Sequence, residues 1–392
     1  MRSIVFTIIA LMGYTIALAD GFRIEHGPYL QNVTEEKASL FFTTSAPSFA
    51  WVEVDADGWE SPRRFAQSEA GLIDAYTKRY NVDIYGLETG KEYRYRIVAK
   101  EMKEFRPYRI TYGDSIATGW ESFRTIDRKS KESSFIIIND GHDDAGKVRT
   151  LLERSQLNSA DAVIYLGDMT SHIEREDVPY KGFIDLSTEL FARNKPFIAV
   201  RGNHETRGNM ARRYKEYVGT NDGRFYNIYY YGNTALIVLD TGEDKPDSHP
   251  VYGGINDFDG YRQEQAQWLQ QEIRSKRFRQ CSNRIVLMHI PPFVTGNHET
   301  EHHGEKELLR LFTPIFNKAG IDLVLSGHTH RQMEMEPDGK ERKFPIITND
   351  NRSVVDLKTT NEGIELTITD RDGKITLNKK LFKFLKKVFL IL

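Results

Sequence analysis

Cysteine is nearly absent: Cys281 is the single one among 392 residues. No intramolecular disulfide can form, and neither a cysteine zinc cluster nor a two-cysteine redox site can be built. A chain this long can bury enough apolar surface without such crosslinks. Cys281 lies just ahead of an apolar run, where a buried, inert thiol is expected. An excess of one charge is also missing. Lys and Arg number 54 against 56 Asp and Glu, a formal net charge of −2. Dedicated nucleic-acid binders show a basic domain or stripe, so nucleic acid is not an expected partner. Small anionic substrates stay open, because a bound metal ion adds positive charge that no residue count includes.

An apolar run of membrane-spanning length is lacking at the N-terminus. Ile4 to Ile16 is apolar, follows Met1-Arg2 and ends at Ala17-Leu18-Ala19. That is shorter than the roughly 20 residues a spanning helix needs. It reads as a secretory signal over residues 1–19, with the mature chain starting at Asp20 and exported to a periplasmic or extracellular site. A retained anchor is the alternative. No cysteine follows the cleavage site to carry a lipid.

Residues 20–128 read as all-β. Short alternating stretches such as Lys37–Thr43, Trp51–Val54 and Tyr93–Val98 are separated by Gly, Pro and Asp. Leu87 followed by Tyr93 six residues later has the spacing of the tyrosine corner of fibronectin type III sandwiches. An unrelated antiparallel hairpin is the other reading. After a charged linker at Asp127–Glu132, strands and helices alternate: Phe135–Asn139, Ala145–Leu157, Ala162–Leu166, Tyr180–Arg193 and Pro196–Val200 open the series. Such alternation predicts an α/β domain with buried, largely parallel strands. Beyond His330 five short β stretches are expected to complete a sheet of the same domain, which spans residues 129–380. From Leu381 to Leu392 apolar residues fall on one helical face and lysines lie mostly opposite. This tail is either a terminal helix packed on the domain or one that lies on a membrane surface.

Five short motifs sit at the ends of predicted strands. Asp140 and His142 stand at i and i+2 around Gly141, so both side chains can converge on one ion. Asp168 follows the strand Tyr165-Leu166-Gly167 and places a carboxylate at the sheet edge, where its two oxygens can bridge cations. In Gly202-Asn203-His204-Glu205 the Asn offers a neutral oxygen ligand, and His204 has a separate task because neighbouring side chains diverge. The same letters recur at Gly296-Asn297-His298-Glu299, but only the first copy follows an apolar strand. His289 ends the apolar run Val286-Leu287-Met288. His328 and His330 form a His-x-His pair after Leu325-Ser326-Gly327, a spacing common among metal ligands. Each motif alone is weak.

Taken together and in this order, the motifs resemble those of the calcineurin-like metallophosphoesterases over Phe135 to His330. The β-rich start at Gly27-Pro28-Tyr29-Leu30 is similar to the N-terminal domain of the purple acid phosphatase-like branch. The resemblance implies a two-domain α+β chain: a fibronectin III-like β-sandwich, then a four-layer α/β/β/α catalytic domain. It implies one metal ion on Asp140, His142, Asp168 and His330, and a second on Asp168, Asn203, His289 and His328. The ions would be divalent or mixed-valence Fe, Zn or Mn, in keeping with nitrogen and oxygen donors and no thiolate. Purple acid phosphatases carry an iron-binding tyrosine three residues after the Gly-Asp aspartate; Ser171 stands there, and His142 supplies a ligand they lack. A colourless centre is therefore expected.

The activity implied is hydrolysis of a small phosphate ester, with a hydroxide formed at the metal pair attacking phosphorus in line. Asp168 would bridge the ions. His204 would protonate or stabilise the leaving oxygen with Glu205 as orienting partner, or only position the phosphoryl group. His172, His298, His302 and His303 are weaker candidates for the substrate wall, or surface residues. A phosphomonoesterase is expected; a phosphodiesterase would use the same centre, and a surface binding protein with a relic catalytic domain is the reading from another class. Oligomeric state is not legible.

Overall fold

The computed structural model describes residues 21–219, 223–293 and 302–382. The expected signal over residues 1–19, the second Asn-His-Glu copy with His298, and residues 383–392 of the tail lie outside the described residues.

The first unit is antiparallel throughout. Its longest strand, Lys37–Asp55, runs on where the sequence suggested separate stretches. Its register slips between Thr43 and Ser48, which divides it. The first half pairs with Ile24–Gln31 and Ala75–Tyr85, the second with Glu92–Arg106. Alternate residues of both halves meet in one core: Leu40 and Phe42 with Tyr80 and Val82, against Val52 and Val54 with Tyr95 and Ile97. The strands belong to one seven-stranded sheet, and the break in the long strand lets both of its halves contribute to that core. At the corner before Glu92–Arg106, the Glu88 amide donates to Tyr93 Oη at 2.8 Å, and Leu87 and Tyr93 are both buried.

The second unit holds two six-stranded sheets. One runs Phe197–Val200, Ala162–Leu166, Ser133–Ile138, Ser353–Thr359, Gly363–Asp370, Ile375–Phe382 in spatial order. The other runs Asn227–Tyr231, Thr234–Leu239, Asn283–Met288, Leu323–Ser326, Ile346–Thr348, Met333–Met335. Ile137, Ile164 and Val200 of the first meet Val238, Leu287 and Leu325 of the second. On its other face the first sheet packs Ile136 and Tyr165 on Val148 and Leu151 of the helix Ala145–Arg154 and on Phe183 of the helical segment Tyr180–Ala192, which contains wide π turns. The second packs Ile237 and Val286 on Leu269 of the helix Phe258–Glu272 and Phe312 of the helix His303–Ala319. The order is helix, sheet, sheet, helix. Burial on both faces explains why these strands read as continuous apolar runs.

Two expectations need correction. The strands after His330 do not complete one sheet: Met333–Met335 and Ile346–Thr348 join the second, while the last three join the first. The chain crosses between sheets at Asn349–Arg352, a change that short apolar stretches do not encode. Leu381 and Phe382 do not begin a helix. They extend the strand Ile375–Phe382, with Leu381 opposite Ile364, because the edge of Gly363–Asp370 offers a ladder and the inter-sheet core takes Leu377 and Leu381.

The units are joined by side chains. Tyr29 Oη donates to Tyr217 O at 2.8 Å, Tyr95 Oη donates to Arg193 O at 2.8 Å, and the His26 ring stacks on Tyr180 at 3.9 Å. The strands Ser133–Ile138, Ala162–Leu166 and Phe197–Val200 are mutually parallel, as are Thr234–Leu239, Asn283–Met288 and Leu323–Ser326. Their carboxyl ends lead into the loops where ligands bind in such sheets.

Tyr93→Phe removes the acceptor of the Glu88 amide. A loss of about 1–3 kcal/mol in urea unfolding is expected; an unchanged midpoint would show that the corner bond contributes nothing.

Candidate metal centre

Asp140, His142, Asp168, Asn203, His289, His328 and His330 all lie just past strand ends. Six residues of these loops have left-handed backbone: Asp140 (φ 52°), His142 (49°), Asp143 (64°), Asp168 (55°), His328 (66°) and His330 (53°). Asp and His tolerate this region better than most side chains, yet each such residue costs roughly 1–2 kcal/mol. Backbone bonds between loops hold them. Asp140 N donates to Gly167 O (2.9 Å), His142 N to Asp168 O (3.0 Å) and Gly327 N to His289 O (3.0 Å). Gly167, at φ 90°, lies against His289, and a Cβ there would overlap the imidazole ring.

Glu205 secures the same loops from beneath. It accepts from the Asp168 and Gly202 amides through Oε2 and from the Thr170 amide through Oε1, each at 2.9 Å. Burial, then the Asp168 charge, push this carboxyl up to about 7. Its expected task, orienting His204, is not what it does: successive residues of the turn His204–Thr206 point apart, and Glu205 points inward.

The ligating atoms form groups. Asp140, His142 and His330 converge, with Asp140 Oδ1 3.1 Å and His142 Nε2 3.3 Å from His330 Nε2. Asp168, His289 and His328 form another, with Asp168 Oδ2 2.9 Å from His289 Nε2. Asp168 also converges with His142 and His204, so its carboxylate stands between the two groups.

The Asn203 amide tests whether a cation fits. Its oxygen faces His289 Nε2 and Asp168 Oδ2 at 3.3 Å and His328 Nδ1 at 3.2 Å. Half a turn would instead bring the amide nitrogen to those three atoms and the oxygen to Arg207 Nη2 at 2.9 Å. A proton on His289 Nε2 can be donated to the Asn203 oxygen as it stands, and a cation among the four atoms would be held by that same oxygen. The Asn203 oxygen lies 3.2–3.3 Å from the other three atoms, and Asp168 Oδ2 lies 2.9 Å from His289 Nε2, so these nitrogen and oxygen donors are close enough to share one cation.

Without an ion, the carboxylates draw in protons. Burial opposes charge on His289, but Asp168 and Asp140 push its pKa up to about 10. Its Nδ1 bonds to Leu166 O at 2.8 Å. Burial and His289 together push His328 down to about 4, leaving a neutral imidazole. Burial would raise Asp168, but His289 and His204 hold it well below the usual carboxylate range.

His204 Nδ1 lies 2.7 Å from Ser171 O, and its Nε2 lies 3.0 Å from Arg207 Nη1. Arg207 is forked onto Glu243. Neither Arg207 nor Glu243 was singled out in the sequence, because an Arg near a motif has no special spacing and its partner lies 36 residues away. His172 is exposed and faces Glu174 at 3.8 Å, apart from the ligand groups. His302 pairs with Glu305 (2.9 Å) and His303 with Asp259 (2.8 Å) at the start of the helix His303–Ala319. Neither enters a ligand group.

Metal binding must expel the His289 proton. Below about pH 6.5 that proton is fully present in folded and unfolded chains, and in the metal-free fold it is lost as pH rises through about 10. Metal titration near pH 7 should therefore release protons, seen as a heat that varies with the ionisation enthalpy of the buffer. A heat independent of buffer would contradict this.

The family model described as calcineurin-like phosphoesterase matches residues 133–332. The human serine/threonine-protein phosphatase CPPED1 is 28% identical over 141 residues, 35% of this chain and 42% of that protein. This chain thus matches less than half the length of that relative. Purple acid phosphatase 21 of Arabidopsis thaliana is 24% identical over 306 residues, 72% of this chain and 61% of that protein. The purple acid phosphatase PPD1 from yellow lupin seeds shares the fold, with a TM-score of 0.66 at 12% identity over 92% of this chain and 75% of that one. The family match spans just over half the chain and takes in every loop that brings a ligating atom to the centre, so the chain belongs to the calcineurin-like phosphoesterases and is a metallophosphoesterase.

Proposed function

We propose that the chain is an exported phosphomonoesterase with two metal ions, acting on a small phosphate ester. The observation that carries this is the placing of Asp168 between two converging ligand groups. Asp140, His142, Asp168 and His330 would hold one ion; Asp168, Asn203, His289 and His328 the other. Nitrogen and oxygen donors without thiolate suit Fe, Zn or Mn. Such a pair, when bound, supplies positive charge to the phosphoryl oxygens and makes water acidic enough to attack phosphorus.

The chain's own residues do the rest. Ser171 O orients the His204 ring, and Nε2 lies beside the ligand groups, 3.9 Å from Asp168 Oδ2 and 3.0 Å from Arg207 Nη1. From there it can donate to or stabilise the leaving oxygen. Burial of Asp140, Asp168, Asn203 and His289 excludes water from the floor. A relic fold kept for binding alone would have no reason to converge seven donors.

The Leu87–Tyr93 corner and the core shared by both halves of the long strand support reading the first unit as a fibronectin III-like sandwich. Export rests on the apolar run Ile4–Ile16 and the Ala17-Leu18-Ala19 site. No helix among the described residues is long and apolar enough to cross a membrane.

With Mn, Zn or Fe supplied, p-nitrophenyl phosphate should be hydrolysed faster than bis-p-nitrophenyl phosphate. Asp168→Asn should abolish turnover. His204→Ala should keep both ions and lower turnover by about 10²–10⁴-fold. Preference for the diester would make the enzyme a phosphodiesterase, and full turnover in His204→Ala would remove that residue from the mechanism.

A further inference from the structure

Arg207 is held in a way that a purely structural ion pair does not require. Its Nε and Nη2 donate to Glu243 Oε1 and Oε2 at 2.9 and 2.8 Å. Glu243 is itself fixed, accepting from Thr206 Oγ1 at 3.0 Å and from Tyr252 Oη at 3.1 Å. The pair is asymmetric: the Glu243 side chain is 1% exposed, the Arg207 side chain 35%. One edge of the guanidinium is spent on the buried carboxylate; the other faces the metal centre, where Nη2 lies 2.9 Å from the Asn203 side-chain amide. On that edge Nη1 lies 3.0 Å from His204 Nε2. That nitrogen in turn lies 3.9 Å from Asp168 Oδ2, the carboxylate shared by the ligand groups.

A neutral imidazole nitrogen is a weak partner for a guanidinium compared with an anionic oxygen. Charge-assisted bonds to phosphate are about twice as strong as neutral ones, and a forked Arg loses little freedom when it makes one. A phosphoryl group reached by His204 from the metal side lies within reach of Nη1 as well. Glu243 keeps the guanidinium from swinging away.

We propose that Arg207 is a substrate-binding residue, whose Nη1 exchanges His204 Nε2 for an oxygen of the phosphoryl group while Glu243 holds the other edge. The ligand class is a phosphate monoester or its product, inorganic phosphate. The proposal rests on the reading that the phosphoryl group occupies this metal centre.

The test is binding of inorganic phosphate to the metal-loaded protein by calorimetry, with metal content measured in parallel. Arg207→Gln strands the buried Glu243, so the double variant Arg207→Gln/Glu243→Gln keeps the site uncharged and foldable. The phosphate dissociation constant should rise about ten- to a hundred-fold in both, the range for one charged hydrogen bond, with metal content unchanged. The same rise should appear when Arg207→Gln is made in His204→Ala. An unchanged constant in the folded double variant would overturn the proposal. So would a rise that vanishes in the His204→Ala background, since Arg207 would then act only through His204. If wild type hydrolyses esters and Arg207 is indifferent to phosphate, this proposal falls while the phosphoesterase reading stands. If metal-loaded wild type neither hydrolyses esters nor binds phosphate, both fall.

Discussion

Two carboxylates, Asp140 and Asp168, are buried beside each other, and the rest of the site depends on supplying positive charge between them. Among the described residues neither carboxylate is paired with Lys or Arg. Their partners are imidazoles: His330 and His289 at about hydrogen-bond distance, His142 and His204 near 3.9 Å. A buried like-charge pair is tolerated only when compensated. In the bare chain a proton on His289 does part of this work; a cation would add to it, because the neutral nitrogen of His328 and the oxygen of Asn203 face the same point.

That demand shapes the backbone. The seven donors follow five buried strands, and the loops turn into left-handed conformations to aim side chains at a common point. The strain is distributed across a rigid frame. Loop-to-loop amide bonds, the buried Glu205 and the two-sheet core over-determine positions that no single loop would hold.

The seven converging side chains were legible because two local signals coincide in each: a run of apolar residues that marks a buried strand, and a metal-capable residue at its end. Asp168 after Ala162–Leu166 and His289 after Asn283–Met288 are examples. The layering was legible in outline from the alternation of elements. What escaped was non-local. Glu205 lies next to His204 in sequence yet serves backbone amides from another loop. Arg207 finds Glu243 across the site. The sorting of Ile346–Thr348 and Ser353–Thr359 into different sheets depends on which edge is open once both sheets exist. Leu381 alternates as well as it spirals, and the strand edge decides.

The most direct measurement of the central claim is the metal content of the purified protein after equilibration with Mn or Zn and removal of free ion. Two equivalents per chain in wild type, falling in Asp168→Asn by more than one ion because both groups share that carboxylate, is the predicted result. One equivalent or none in wild type, or a variant that keeps both ions, would contradict the account.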